Sequence, residues 1–369
     1  MPETTDPPDE ALTRDAEAVV AVEASARPDV VEGLVVALAP DFFEVYANGV
    51  VYLCRARGRL RKTRQAPAPA GARGRAASPS RHAASAPALE TAPERPIRIA
   101  TGDHVRITLL GPSEGVIEEV LPRYNALSRT RSEVEVEHVM MANVDLAALV
   151  FAVREPEPRL DLLDRYLALC EHARIPALIL FNKCDLGLDQ AVEEALALYT
   201  GLGYSVLLTS ARDGSGLNEL RERLSGHTSL LTGPSGVGKS SLMNALLPDA
   251  GQRIGEVSEA TGQGRHTTTG ARLLPLPEGG WLADTAGIRE LALWNAPADA
   301  LPRLFVELRP IADDCEYEDC SHADGEEGCA LRAALAEGRI TPGRWASFER
   351  LLDEARERER TVWRAPVRR

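Results

Sequence analysis

The sequence predicts a multidomain α/β protein with a β-barrel. Three observations predict it. Short β-rich runs punctuated by turn residues fill the first third. Apolar strand runs then alternate with helical periods. Near the end, three cysteines and a histidine crowd together ahead of two helical stretches. The chain has 369 residues, and at roughly 150 residues per domain this implies two or three domains. Apolar residues make up 44% and charged residues 26%, which excludes wholesale disorder. Aromatics are only 5%, so the cores must be aliphatic. The longest apolar run, Leu146 to Val153, spans 8 residues, far short of the roughly 20 that a membrane helix needs. The opening MPETTDPPDE is acidic and lacks the pattern of a secretory leader. Cytoplasmic location, with no membrane partner, is the expectation.

Residues 1–30 are rich in Ala, Glu, Asp and Pro and read as a mobile tail. From Val31 the pattern predicts three short strands, with turns at Ala39-Pro40-Asp41 and Asn48-Gly49. Residues 63–96 carry almost no large apolar side chain, so they read as a disordered basic insertion. Strand patterns return at Ile97–Ile99, His104–Leu109 and Gly115–Val120. About five short strands fit a small barrel, OB-like or SH3-like, spanning 31–138. Between 139 and 300, strands are expected at Leu146–Val153, Ala177–Phe181, Tyr204–Leu208, Thr228–Leu231, Ala271–Leu276 and Trp281–Ala283. Helices are expected at Leu160–Ala173, Gln190–Tyr199 and Leu217–Leu224. That alternation implies a mostly parallel sheet covered by helices. Residues 301–369 hold the Cys/His cluster and helical patterns at Ala330–Gly338 and Arg344–Arg364.

The net charge is −13, which by itself argues against a nucleic-acid partner. The charge is unevenly distributed, however. From Arg55 to Arg95 there are ten basic residues against Glu90 and Glu94, a local excess of +8, leaving −21 on the remainder. A basic stripe on an acidic protein can still meet phosphate, because screening over about 8–10 Å lets the near field dominate.

Residues 233–240 read Gly-Pro-Ser-Gly-Val-Gly-Lys-Ser. This is the phosphate-loop spacing G-x-x-x-x-G-K-[ST], and it lies between a strand pattern and a helical one. Glycines allow backbone N–H groups to curl around a phosphate, and a helix N-terminus adds partial positive charge. Lys239 supplies a point charge for the β- and γ-phosphates, and the Ser240 hydroxyl suits Mg²⁺.

Asn182-Lys183-Cys184-Asp185 follows the strand run ALILF. A carboxylate there accepts two hydrogen bonds from guanine N1–H and its exocyclic amine. Adenine would leave that carboxylate desolvated and unpaired. Ser210-Ala211, after the next strand, suits the other edge of the base. Asp284-Thr285-Ala286-Gly287 follows another strand. Asp284 is placed to hold Mg²⁺, and the Gly287 N–H to contact the γ-phosphate. Ile288 follows and cannot orient water, which makes His266 in Gly264-Arg-His-Thr-Thr-Thr269 the candidate; Thr267 and Thr268 can complete the Mg²⁺ shell. The catalytic set is thus His266, Lys239 and Asp284. These motifs run in a circularly permuted order, with the base reader ahead of the phosphate loop. Permutation costs little, since the site depends on convergence at strand ends.

Cys315, Cys320, His322 and Cys329 form a closed Cys3His set suited to one structural Zn²⁺, with no position left open for catalysis. Two other readings fit parts of this pattern: a P-loop nucleotide kinase with a zinc lid, and an RNA-binding module with a vestigial nucleotide site. The NKCD and DTAG motifs argue against the first. Intact Lys239, Ser240 and Asp284 argue against the second.

With CRARGRLRK (54–62), GDHV (102–105), VLPRYNALSR (120–129) and ANVDLAALVFAV (142–153), this combination resembles the RsgA (YjeQ) family of circularly permuted GTPases, which act in small ribosomal subunit assembly. The resemblance spans roughly Val31 to Trp363. It implies an N-terminal OB-fold, a central circularly permuted P-loop GTPase domain and a C-terminal zinc-binding helical domain. It implies GTP/GDP with Mg²⁺ and Zn²⁺, and hydrolysis stimulated by the small ribosomal subunit during its late maturation. GTP contacts carry over to Asn182, Lys183, Cys184 and Asp185, and to Gly233, Pro234, Ser235, Gly236, Val237, Gly238, Lys239, Ser240 and Ser241. Zinc carries over to Cys315, Cys320, His322 and Cys329. The expected partners are the small subunit and its rRNA, met through Arg55, Arg57, Arg59, Arg61 and Lys62, by a monomer. The sequence departs from the family in its long barrel loop, its N-terminal tail and a His322–Cys329 gap one residue longer than usual.

Overall fold

A computed structural model of the chain describes residues 29–58, 98–130, 137–248, 271–284 and 296–364. The tail up to residue 28, the 63–96 insertion, the 264–269 stretch with His266, Thr267 and Thr268, and Gly287 lie outside the described residues.

The first strands are β1 (Val30–Leu38), β2 (Phe43–Ala47), β3 (Val50–Ala56), β4 (His104–Leu109) and β5 (Glu114–Val120). They close into a barrel in the order β1-β2-β3-β5-β4. β1 pairs antiparallel with β4, and β3 runs parallel to β5. This is the OB arrangement, which removes the SH3-like alternative. Alternation along the strands sends Val35, Val45, Tyr52, Cys54, Val105, Ile107 and Ile117 inward.

Arg98–Ala100 carries no strand, in contrast to the sequence expectation. Side chains take its backbone groups instead. The Ala100 N–H donates to Asp103 Oδ2 at 2.8 Å, and Arg123 donates to the Arg98 carbonyl at 2.8 Å. Arg123 also clamps the fully buried Asp103 at 2.6 and 2.8 Å. The sequence reading also missed an antiparallel hairpin of β6 (Ala126–Thr130) and β7 (Glu137–Ala142).

The central sheet has the order β10 (Ser205–Thr209), β9 (Ala177–Asn182), β8 (Leu146–Ala152), β11 (Thr228–Thr232), β13 (Trp281–Asp284) and β12 (Arg272–Pro275). The first five strands are parallel and β12 is antiparallel. Among the described residues, four helices cover the sheet: α1 (Leu160–Ala173), α2 (Gln190–Gly201), α3 (Leu217–Leu224) and α4 (Lys239–Leu246). The continuous apolar run of β8 divides by parity. Leu149, Phe151 and Val153 pack with Leu163, Leu167, Val192 and Tyr199 of α1 and α2. Ala148, Val150 and Ala152 pack with Leu217, Leu220, Leu242 and Leu246 of α3 and α4. A strand buried on both faces therefore needs no polar alternation.

The C-terminal module holds a 3₁₀ turn (Ala298–Leu304) and the helices α5 (Ala330–Ala336) and α6 (Pro342–Arg364). Pro342 occupies the first turn of α6, where its missing N–H costs nothing. The Thr341 hydroxyl accepts from the Arg344 N–H at 3.4 Å. Phe305, Trp345 and Phe348 join the α1/α2 core, so the module shares one apolar body with the sheet. Among the described residues no helix is long and apolar enough to cross a membrane.

Candidate functional site

The phosphate loop connects β11 to α4. Gly233 has φ +149°, and a Cβ there would sit 2.0 Å from the Val150 carbonyl oxygen. Gly238 has φ +96°, and a Cβ there would sit 2.3 Å from Asn182 Nδ2. Both positions therefore demand glycine. Lys239 Nζ donates to the carbonyls of Gly233, at 2.8 Å, and Pro234. The Ser240 and Ser241 residues are exposed at the start of α4, and Val237 is buried beneath the loop.

Asn182 closes β9 and is buried. Its Nδ2 donates to the Val237 carbonyl at 2.8 Å, and its Oδ1 accepts from Thr209 Oγ1 at 3.3 Å. It ties three strand-end loops together. Lys183 adopts the left-handed conformation, φ 63°, and its ammonium donates to the Glu155 carbonyl. Asp185 accepts from Ser210 Oγ at 2.7 Å and faces Arg212 at 3.5 Å. The Asp185 side chain is 14% exposed, so it is aligned but reachable. Ala211 and Cys184 flank it, half-buried. Loops at the C-terminal ends of β8, β9, β10 and β11 therefore converge. The helices after β8 and β11 cover opposite faces of the sheet, which opens a crevice at the switch in strand direction, the usual ligand position in such sheets.

Asp284 ends β13, directly opposite Arg272 in the register. Beside it in the sheet, β11 leads into the phosphate loop. A serine hydroxyl and a carboxylate are hard oxygen donors of the kind Mg²⁺ takes. His266, Thr267, Thr268 and Gly287 are not placed by the described residues.

Cys315, Cys320, His322 and Cys329 come together, with their donor atoms within 4.8 Å of one another. The sulfurs stand 3.8, 3.3 and 3.5 Å from His322 Nδ1. A tetrahedral ion with Zn–S near 2.3 Å and Zn–N near 2.0 Å requires S···N edges of about 3.5 Å, so the set fits zinc. Burial, with help from Arg356 and Arg332, holds the His322 imidazole below the usual histidine range. Neutral, its Nδ1 offers a lone pair. Burial pushes the Cys320 thiol up to about 12, so a thiolate here needs a cation beside it. Cys54 and Cys170, both buried, are likewise pushed up to about 12 and serve as core residues.

Comparison with known proteins is consistent along the chain. The RsgA GTPase family matches residues 120–294 and the RsgA N-terminal domain matches residues 32–73. The small ribosomal subunit biogenesis GTPase RsgA of Pseudomonas putida is 45% identical over 257 residues, covering 69% of this chain and 74% of that protein. YjeQ from Thermotoga maritima superposes with a TM-score of 0.66 at 30% identity, covering 88% of this chain and 98% of that one. The circularly permuted GTPase YloQ superposes with a TM-score of 0.64 at 26% identity, covering 89% of this chain and 96% of that one. Barrel, permuted nucleotide-loop order and Cys3His cluster coincide with this relationship, and the chain belongs to the RsgA family of GTP-hydrolysing enzymes.

Proposed function

We propose that this chain couples GTP hydrolysis to late maturation of the small ribosomal subunit, acting as a cytoplasmic monomer whose turnover rises on the subunit. The observation that carries this reading is the convergence of Asp185, Ser210 and the phosphate loop at one crevice, in a chain 45% identical to a protein named for that process. Asp185, aligned by Ser210, accepts from guanine N1–H and the exocyclic amine, with Lys183, Cys184 and Ala211 bordering the base. Gly233 to Ser241 enclose the phosphates. Lys239 exchanges its loop carbonyls for β- and γ-phosphate oxygens. Ser240 and Asp284 would hold Mg²⁺, with Thr267 or Thr268 to complete the shell; bound there, the ion would supply charge neutralisation for phosphoryl transfer. Gly287 donates to the γ-phosphate, and His266 orients water in place of the usual glutamine. Zinc organises the C-terminal module, one ion per chain. Arg55, exposed and stacked on Phe42 at 4.9 Å, and Arg57 begin the basic stripe that meets rRNA phosphate.

Coupling to the C-terminal module has a physical route. Past the DTAG segment, Arg358 of α6 donates to the Ala296 carbonyl at 2.6 Å, and Glu359 accepts from the Ala298 N–H at 2.8 Å. Arg356 of the same helix donates to the Ser321 carbonyl, between two zinc ligands.

GTP turnover measured with and without purified small subunits tests the function. The expected result is stimulation by small subunits, absent with large subunits and reduced by salt. Equal turnover under all conditions would remove the ribosomal part of the reading.

Base recognition has its own test. Asp185→Asn replaces a double acceptor by a group that presents a donor to the guanine amine. Hydrogen bonds to a charged group contribute about 1.5–3 kcal/mol each, so GTP affinity falls by roughly a hundredfold or more. Xanthosine triphosphate carries a carbonyl at the amine's position, and its affinity rises. Unchanged guanine affinity by fluorescence titration would show that Asp185 does not read the base.

A further inference from the structure

β12 is a four-residue strand that, among the described residues, lies at the edge of the sheet and pairs on one side, with β13. So short an edge strand has little backbone pairing to hold it, and an open edge is normally covered. Here the barrel side covers it. Thr101, fully buried, donates through Oγ1 to the Ala271 carbonyl at 2.8 Å. Glu44 of β2 accepts from Arg272 at 2.6 Å, with side chains 11% and 27% exposed. Tyr46 of the same strand meets Trp281 edge-on at 4.8 Å between centroids.

Arg272 is the residue directly opposite Asp284 across the β12–β13 pair. Opposed residues in such a ladder have Cα atoms about 4.5–5.5 Å apart, so a shift of one moves the other. The geometry points to Glu44 and Thr101 as positioning residues for Asp284: two groups from the barrel side fix the backbone rung to which Asp284 belongs. The barrel thereby sets the ion's affinity without touching nucleotide. This rests on the reading of Asp284 as a Mg²⁺ group. It follows that displacement of the barrel changes Mg²⁺ binding directly.

The test is the Mg²⁺ dependence of binding of a fluorescent non-hydrolysable GTP analogue to the full chain. Glu44→Gln and Thr101→Val each raise the half-saturating Mg²⁺ concentration about five- to tenfold, while affinity in excess chelator stays within twofold. The exchanged pair, Glu44→Arg with Arg272→Glu, returns the half-point to within about twofold of the parent. Thr101→Val keeps the shape of the buried side chain and carries the test if the exchanged pair does not fold. The inference is overturned by an unchanged half-point in both single variants. It is equally overturned by a chelator affinity that falls in proportion, or by a folded exchanged pair that fails to recover. Asp284→Asn separates the layers. If it shifts the Mg²⁺ dependence and the barrel variants do not, only the inference fails. If it shifts nothing, the Mg²⁺ assignment fails and the inference falls with it.

Discussion

Stripping zinc from the purified protein unfolds the 315–329 knuckle and lowers the melting temperature of the C-terminal module. Residues 315–329 contain no helix or strand; the 3₁₀ turn Ala312–Asp314 ends just before Cys315. The knuckle is closed by hydrogen bonds without regular structure: Glu316 N–H to the Gly328 carbonyl at 3.0 Å, Ser321 N–H to Glu326 at 2.9 Å, and Arg332 and Arg356 to the His322 and Ser321 carbonyls. Eight acidic residues lie between 313 and 327, with no lysine or arginine from 310 to 331. Their mutual repulsion opposes closure, and a cation inside the Cys3His set would offset it. In zinc-finger peptides the apparent binding free energy is about 10–16 kcal/mol near neutral pH, comparable with or above the whole stability of a typical domain. His322 also packs on Phe348, 6.2 Å between centroids, so the loss reaches the α6 core. Calorimetry and limited proteolysis before and after chelation, with Cys329→Ser as a genetic counterpart, read the effect. One zinc per chain is expected by metal analysis. A chelated, metal-free protein that melts and digests as before would exclude a structural zinc.

Arg344→Ala lowers stability by about 3–5 kcal/mol, the range for breaking a buried charge pair by removing one partner. Arg344 of α6 is 3% exposed in its side chain. It donates to Asp164 of α1 at 2.6 Å, and to both Glu307 oxygens at 2.6 and 2.9 Å. Its guanidinium lies 4.6 Å from the Phe305 ring centre. Burial alone would disfavour the charge, yet Glu307 and Asp164 hold the guanidinium's proton above the ordinary arginine range. Burial and Asp164 push the Tyr199 phenol well up, so it stays protonated and donates to Asp164 at 2.6 Å. Alanine strands two buried carboxylates together. Arg344→Lys keeps the charge but loses the fork that reaches both acids, so its loss is intermediate. Thermal unfolding of the three proteins orders them parent, lysine, alanine. An alanine variant within about 0.5 kcal/mol of the parent would show that this cluster does not hold the C-terminal module to α1 and α2.

The parts most legible in sequence are those whose physics is local. The phosphate loop is readable because glycine spacing, a preceding strand and a following helix are all contiguous. The Cys3His set is readable because its four ligands lie within fifteen residues. The helix at Leu160–Ala173 matches its expected ends because its apolar period is uninterrupted. Asn182 shows the limit. Its motif assigns it to the base, and only the fold shows that the same side chain also braces Val237 and Thr209.

What the sequence by itself determined is which chemistry the chain carries and in what order the loops occur, because each motif depends on neighbours along the backbone. The partners at the module boundaries were decided only by the tertiary structure. Arg344 meets Asp164 across 180 residues, Arg272 meets Glu44 across 228, and Thr101 meets Ala271 across 170. Such pairs leave no periodicity, since a charge on an edge strand or helix face reads the same whether it meets water or a distant acid. Only the packing of barrel, sheet and zinc module against one another removes the water and makes the choice.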